Sequence, residues 1–518
     1  MDHLFKDFGK VFIRTPIYSY ASLFNKDNET RNLDDLVLLR INDPVFLEAL
    51  YWSSPQLLEA VLKFKVGGIK GAKEKKLMKT LKKYLIRAST RCTPYGIYAG
   101  TGIADIGIEQ EAQKPAMERK VRIDMGFMQS LKSAIESDPG VYPHLLYTLN
   151  NSLYPIPGQY RFMETVIENG KCHYQLSSID QTDFLDQIIR ITKSKRISGK
   201  DIYALADKDT PCEDLAAFVN ELIKTQFLVS ELELGLTTEN ELVRYIQILQ
   251  RIINDGIETA KKYMALLLSL KDILIEFRSL PIGDLPFNQI NDLNGYLTEC
   301  GLNTRHHVFH ADLRQTFPGF IFQKEKLKDL EKAICILGKL SCSFSPHEMQ
   351  IDHFKRLFHE RYETQEVPLS KVLDPELGIG FPASERIGDT SYNPLLEKVD
   401  LSIKENLKAR AENCQIWLKD KIESLDTETL EEEIRLTDED LKDFDDNIVK
   451  LANHFIVMGT VLPSGKILLQ NTGGSHANSL FGRFAYLEDK IGKFCKEISD
   501  IEKQRNESEM LPNSKLYN

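Results

Sequence analysis

Between Lys63 and Arg91 basic residues are frequent and Glu74 is the only acid. Lys75, Lys79, Lys83, Arg87 and Arg91 recur every four residues, which on a helix makes a slowly drifting basic stripe. Leu77, Leu81, Tyr84, Leu85 and Ala88 fall on another side, where they can pack against a core. Thr93-Pro94 predicts the end of this helix, because the residue before proline is driven out of the α region. Tyr95-Gly96-Ile97-Tyr98-Ala99-Gly100 then reads as a Gly-punctuated passage into a strand. The stretch requires an amphipathic cationic helix that stops abruptly and delivers two arginines to a turn. The whole chain carries a formal net charge of −10, so this local positive charge asks for an anionic partner.

The 518 residues are 42% hydrophobic and 27% charged, enough to bury a sizeable core. That length suits about three or four domains. The acidic excess argues against nucleic-acid binding by the whole surface but leaves room for one basic groove. Eight cysteines are scattered without a CxxC pair or a zinc-ligand spacing, which predicts reduced thiols and a cytoplasmic location. Met1 to Asp7 lacks the basic and apolar regions of a signal peptide, and no apolar run is long enough to span a bilayer. Secretion and membrane insertion are not expected.

The pattern predicts an α+β chain of several subdomains, divided at 1–153, 154–235 and 236–518. Val11-Phe12-Ile13 forms a strand ending at Pro16, with Arg14 a possible anion contact. Val121 to Met125 is a strand entering the helix Gly126 to Ser137, with Asp124 placed as its N-cap. From Tyr154 to Glu233, two strands flank Glu168-Asn169-Gly170, and three capped helices and a closing strand follow. This resembles a winged helix. Its acidic second helix, with Asp201 and Asp207, favours a peptide added to a strand edge over DNA. Leu242 to Leu280 reads as one long helical stretch. His306 and His310 share a strand face with Asp312, while His307 takes the other face. No carboxylate at helical ligand spacing accompanies them, so no metal is expected. Gly473-Gly474-Ser475 could hold a phosphate on backbone N–H groups, although no P-loop is present.

Four chemically loaded pieces stand out: the Arg87/Arg91/Thr93 turn, Asp124, Asp312 and Arg483. Guanidinium forks suit oxyanions, and a neighbouring carboxylate can orient them or take a proton from a hydroxyl. No hydrolase elbow, kinase set or dinucleotide fingerprint appears. The residues themselves reach a cytoplasmic α+β protein with a local phosphate-binding site.

The run Arg87-x-x-x-Arg91-x-Thr93-Pro94-Tyr95-Gly96-x-Tyr98-Ala99-Gly100 resembles the signature of the lantibiotic (class I lanthipeptide) dehydratase N-terminal domain. Arg14-Thr15-Pro16, Arg122-Ile123-Asp124-Met125, Ala311-Asp312-Leu313, Glu360-Arg361-Tyr362, Leu373-Asp374, Gly378-Ile379-Gly380 and Gly482-Arg483-Phe484 follow in the family's order. The resemblance implies glutamyl transfer from glutamyl-tRNA, a co-substrate rather than a bound cofactor, to Ser or Thr of a precursor peptide. It places Arg87, Arg91, Thr93, Asp124, Asp312 and Arg483 in the transfer site, with Arg14, Lys79 and Lys83 holding tRNA or phosphate. It makes the Tyr154–Glu233 unit a leader-peptide recognition element. Full-length family members are much longer, so the chain is expected to be either one piece of a split enzyme, with the rest of the glutamylation domain and the elimination domain on a partner chain, or a truncated product. A non-catalytic leader-peptide-binding subunit and a peptide–aminoacyl-tRNA ligase component remain alternatives.

Overall fold

The computed structural model describes residues 5–24, 31–108, 113, 115–168, 171–207, 209–235, 241–299, 302, 308–340, 346–381, 416–423, 437–442, 444, 455–462, 464–473 and 477–509. The chain divides into two compact units. The first comprises Met1–Val141, Leu232–Glu331 and Ala452–Asn518, and the second comprises Tyr142–Glu231 and Lys332–Leu451. Both mix helices with small sheets, so the fold is α+β.

The first unit is built on a five-stranded sheet. Strand β1 (Lys10–Pro16) runs antiparallel to β2 (Ala99–Gly107), and β3 (Ala116–Ile123) runs antiparallel to β4 (Phe309–Thr316). Parallel pairing of β4 with the start of β2 joins the two halves, and β5 (Ile321–Gln323) pairs parallel with the end of β2. The glycines of the TPYG passage now have a cause. Gly96 sits at φ +55° with Trp52 Cβ close by, a conformation side chains rarely adopt. At Gly102 a Cβ would lie 2.0 Å from the Gln315 carbonyl oxygen, so only glycine lets the end of β4 approach so closely.

One sheet face carries Ala311, Leu313, Arg119, Val121 and Ile123, and helix Lys261–Ser279 lies against it. Phe277 of this helix meets Phe309 edge-on at 5.3 Å. Here Arg119 is fully buried and forms an ion pair of 2.5 Å with the equally buried Glu48 of helix Pro44–Ser53. Arg119 Nη2 also donates to the Phe277 carbonyl (2.6 Å), while Glu48 accepts from Trp52 Nε1 (3.0 Å) and Gly283 N (2.6 Å). A buried pair of this kind offsets its desolvation only through such additional hydrogen bonds.

The basic helix spans Ala72–Thr90, with Leu77, Leu81, Leu85 and Ala88 buried as the pattern requires. It stops three residues before Thr93. Arg91 is already extended and caps the helix, its N–H returning to the Arg87 carbonyl at 3.1 Å. The stretch expected as one helix over Leu242–Leu280 is two, Glu241–Asn254 and Lys261–Ser279, broken at Asp255-Gly256. A glycine just past a helix end terminates it more readily than the apolar spacing continues it.

In the second unit Gln159–Glu168 and Lys171–Asp180 form the expected antiparallel hairpin, while Asn169 and Gly170 at its tip lie outside the described residues. The three helices follow as Asp183–Thr192 capped by Thr182, Gly199–Tyr203 with a capping box on Ser198, and Cys212–Lys224 after Pro211. Strand Leu228–Ser230 closes the unit by pairing with Leu146–Leu149. Asp374 anchors this unit internally. It is 2% exposed and accepts from Tyr154 Oη (2.5 Å) and Arg161 Nη1 (2.9 Å). Arg361 donates to the carbonyls of Leu377 and Gly378 at 2.7 and 2.6 Å. The Asp374 and Gly378 segments of the motif set therefore hold a turn together.

Candidate functional site

The other face of the sheet in the first unit carries the polar residues. Side chains of register partners share a face, so Arg14 on β1 stands beside Thr101 on β2, and Thr101 beside Arg314 on β4. Along β4, His310, Asp312 and Arg314 then oppose Arg122, Lys120 and Glu118 of β3. A helical segment covers part of this face: a short turn at Asn478–Phe481, a 3₁₀ turn at Gly482–Leu487 and helix Asp489–Glu509. Phe481, Phe484, Leu487, Ile491, Phe494 and Ile498 form a buried cluster packed against Phe8, Phe12 and Ile103. Burial of these apolar side chains is what fixes Arg483 and Tyr486 above β4.

Asp312 is the centre of the cluster, 2% exposed. Its Oδ2 accepts from Tyr486 Oη at 2.6 Å and from His310 Nε2 at 3.1 Å. Its Oδ1 is buried and has no hydrogen-bond partner among the described residues. Burial alone would raise the carboxyl pKa, but the His310 hydrogen bond and charge, the Tyr486 hydrogen bond and the positive Arg483 together bring it below the ordinary carboxylate value. Burial and the Asp312 charge push the Tyr486 hydroxyl far up, which keeps it protonated as a donor.

The arginines around Asp312 divide into two kinds. Arg314 is tied to Glu118 at 2.8 Å and Glu488 at 3.3 Å, and Lys120 to Glu118 at 2.5 Å. Arg14, Arg122 and Arg483 form no ion pair with a carboxylate among the described residues. Arg14 Nη2 donates to the Leu480 carbonyl (2.8 Å), and its guanidinium lies near the Phe12 and Phe484 rings at 5.5 and 5.7 Å. Burial and the charge of Arg483 lower its pKa, which places the two guanidinium groups within each other's field. Arg122 lies 5.4 Å from the Tyr486 ring, and the exposed Arg483 lies 4.3 Å from the Phe484 ring. The Nε–H groups of Arg14 and Arg122 are buried without a partner.

The Arg87 turn stands next to this cluster. Tyr18 N donates to Ala88 O (3.0 Å) and Ile17 N to Tyr98 O (2.9 Å), which seats the exit of β1 on the end of the basic helix. Cys92 in the turn is close enough to Arg14 to feel its charge; burial raises the thiol pKa and Arg14 only partly offsets it. Arg87 lies 4.7 Å from the Tyr95 ring, with Nη2 3.5 Å from the Thr93 carbonyl and a buried, unpartnered Nε. Arg91 and Thr93 are exposed in the turn, and Lys79 and Lys83 are exposed along the helix behind it. Asp124 caps helix Met125–Glu136 through Gly126 N at 2.8 Å, and its own N–H bonds to Val308 O at the end of the β3–β4 pair.

The fold thus gathers Arg14, Asp312 and Arg483 on one sheet face, sets the Arg87/Arg91/Thr93 turn beside Arg14, and uses the Asp124 carboxylate as a helix cap. Arg122, Tyr486 and Arg314 were not picked out as site residues. Arg122 was visible in its motif and His310 by its spacing from Asp312. Tyr486 carried no local signal, because its place depends on a contact across 174 residues. His306, His307, Gly474 and Ser475 lie outside the described residues.

A family profile for the N terminus of lantibiotic dehydratases matches residues 42–514. The chain belongs to this family. The subtilin biosynthesis protein SpaB of Bacillus subtilis is 24% identical over 98% of this chain and 48% of its own length. The epidermin biosynthesis protein EpiB of Staphylococcus epidermidis is 22% identical over 78% of this chain and 40% of its own length. The nisin biosynthesis protein NisB of Lactococcus lactis subsp. lactis is 22% identical over 65% of this chain and 33% of its own length. The chain thus spans half or less of the length of these relatives. The fold matches the tRNA-dependent lantibiotic dehydratase MibB from Microbispora sp. 107891 with a TM-score of 0.62 at 17% identity, over 87% of this chain and 41% of that one. The glutamylation domain of TbtB from thiomuracin biosynthesis matches with a TM-score of 0.50 at 16% identity, over 89% of this chain and 56% of that one. No helix among the described residues is long and apolar enough to cross a membrane.

Proposed function

We propose that the chain transfers glutamate from glutamyl-tRNA to Ser or Thr hydroxyls of a ribosomal precursor peptide in the cytoplasm, with elimination left to another domain or chain. The observation that carries this reading is the group of arginines without carboxylate ion pairs among the described residues, Arg14, Arg122 and Arg483, on the sheet face of the buried Asp312, with the Nε–H groups of Arg14 and Arg122 unpartnered. Acyl transfer from an ester builds negative charge on the carbonyl oxygen, and preorganised guanidinium donors stabilise it. The names of two structural neighbours, a tRNA-dependent lantibiotic dehydratase and a glutamylation domain, support the same chemistry.

In this reading Arg87, Arg91 and Thr93 hold the acceptor end of the tRNA, and Lys79 and Lys83 extend that contact along its phosphates. Arg483 and Arg14 face the glutamyl group. Asp124 orders the strand end beside them. No cofactor beyond glutamyl-tRNA takes part. The leader peptide adds as a strand to Lys171–Asp180, the outer strand of its three-stranded sheet, where Tyr174 is 71% exposed. A partner chain supplies the portion that the relatives have and this chain does not span.

Incubating the chain with glutamyl-tRNA, a precursor peptide and a candidate partner tests the proposal. The expected product carries one additional glutamyl residue per modified Ser or Thr by mass spectrometry. An unchanged adduct yield from Arg87→Ala overturns the assignment of the turn. Leader-peptide binding without any glutamyl-tRNA binding at low salt establishes the non-catalytic subunit instead.

A further inference from the structure

We propose that His310 is the general base of the transfer and that Asp312 is its positioning residue; this rests on the glutamyl-transfer reading above. Asp312 is badly placed to take the substrate proton itself. It is 2% exposed, its Oδ2 is already occupied by the Tyr486 hydroxyl and His310, and its unpartnered Oδ1 is buried away from the surface. Tyr486 is a donor whose hydroxyl hydrogen points at Asp312. The His310 side chain, by contrast, is 34% exposed at the edge of the same cluster. Its Nε2 faces the carboxylate, and its Nδ1 makes no hydrogen bond among the described residues.

A carboxylate accepting from Nε2–H fixes the tautomer in which Nδ1 carries the lone pair. The surroundings suit that arrangement. Asp312 and Arg314 follow His310 along the same face of β4, Arg122 stands opposite His310 on β3 with Lys120 and Glu118 beyond it, and Tyr486 and Arg483 lie above. Arg314 and Lys120 are neutralised by Glu118 and Glu488 through ion pairs, while Arg122 and Arg483 remain for the oxyanion.

The step balances without any further reactant. Nδ1 takes the proton of the Ser or Thr hydroxyl as its oxygen bonds to the glutamyl carbonyl carbon. The carbonyl π pair moves onto its oxygen, within reach of the guanidinium groups. On collapse, the bond from that carbon to the ribose oxygen breaks, and the ribose oxygen takes the proton back from the imidazolium. One ester replaces another, so the base is regenerated in each cycle.

Single-turnover transfer with the full chain, the partner chain, glutamyl-tRNA and precursor peptide decides the matter. His310→Gln keeps an N–H donor toward Asp312 but has no base. The expected result is a rate lower by about 10²–10⁴-fold, with unchanged glutamyl-tRNA affinity and melting temperature. In His310→Ala, added imidazole should restore part of the rate, which a purely structural role would not allow. Undiminished transfer by His310→Gln overturns the role while leaving the transfer reading intact. Wild-type chain that binds glutamyl-tRNA and peptide yet forms no adduct overturns both. If a variant does not fold, ¹⁵N-histidine NMR of the wild-type chain decides, because a His310 ring protonated on Nδ1 rather than Nε2 excludes the proposed base.

Discussion

The two faces of the central sheet treat charge in opposite ways. On one, Arg119 and Glu48 are fully buried, paired at 2.5 Å and completed by backbone carbonyls, an indole N–H and a backbone amide. On the other, Arg14, Arg122 and Arg483 have aromatic rings for neighbours and no carboxylate ion pair among the described residues, and the charge of Arg483 reaches the buried Asp312. Matched charge in a core serves the fold. Unmatched charge beside a core costs stability and persists where a ligand completes it.

The contrast is broken most forcefully on the matched face. Glu48→Ala leaves Arg119 buried without its counter-ion, and the expected loss is about 3–5 kcal/mol of unfolding free energy, read from urea denaturation. Transfer per folded molecule should not change. Arg483→Ala should do the reverse. If Arg483 is an oxyanion donor, as proposed, its removal should cost transfer about 10²–10³-fold. Arg483 is exposed, so the unfolding midpoint should stay near wild type. If Arg483→Ala unfolds the chain while Glu48→Ala abolishes transfer without unfolding it, the division between the faces is wrong.

Acid sharpens the contrast further. The Asp312 carboxyl is held below its ordinary value despite its burial, because His310, Tyr486 and Arg483 favour the ionised form. The unfolded group therefore binds protons at a higher pH than the folded one. The stability Asp312 contributes is fully present above the unfolded value of about pH 4 and is lost as pH falls through the lower folded value. Asp312→Asn should remove this part of the acid limb. The wild-type advantage in urea midpoint should shrink below about pH 4 and stay constant at higher pH.

Local signals carried much of this architecture. Thr182, Ser198 and Asp124 mark helix starts because a side-chain oxygen satisfies an unpaired amide, and that chemistry is complete within three residues. The leucines of Ala72–Thr90 sit where helical spacing puts them. The end of that helix was less legible, since Arg91 leaves it before the proline acts. The site was legible as separate motifs but not as an assembly. Parallel pairing of Gly100 with Leu313 and of Thr101 with Arg314 puts Arg14 on the sheet face that carries Asp312, and aromatic packing of Phe481, Phe484 and Phe494 against Phe12 lowers Arg483 and Tyr486 onto it. Neither contact leaves a mark on the local pattern. The Asp374 turn shows the converse, since this residue of the motif series is committed to Tyr154 and Arg161.

The smallest effect extends the unmatched face onto the basic helix. Lys79 and Lys83 are exposed and form no ion pair among the described residues, whereas Lys82 on the adjoining side is bound to Asp34 at 2.7 Å. If the unpaired lysines meet tRNA phosphates, each replacement by alanine should lower the slope of log affinity against log salt by about 0.7–0.9. Lys82→Ala should leave the slope alone, because its charge is already spent on Asp34 in the folded chain. The rate of bound-state transfer should be unaffected in all three variants, since none of them reaches the Asp312 cluster. Equal salt slopes for Lys79→Ala, Lys82→Ala and wild type would remove the helix from the tRNA contact and confine the anion-binding surface to the Arg87 turn and the sheet face.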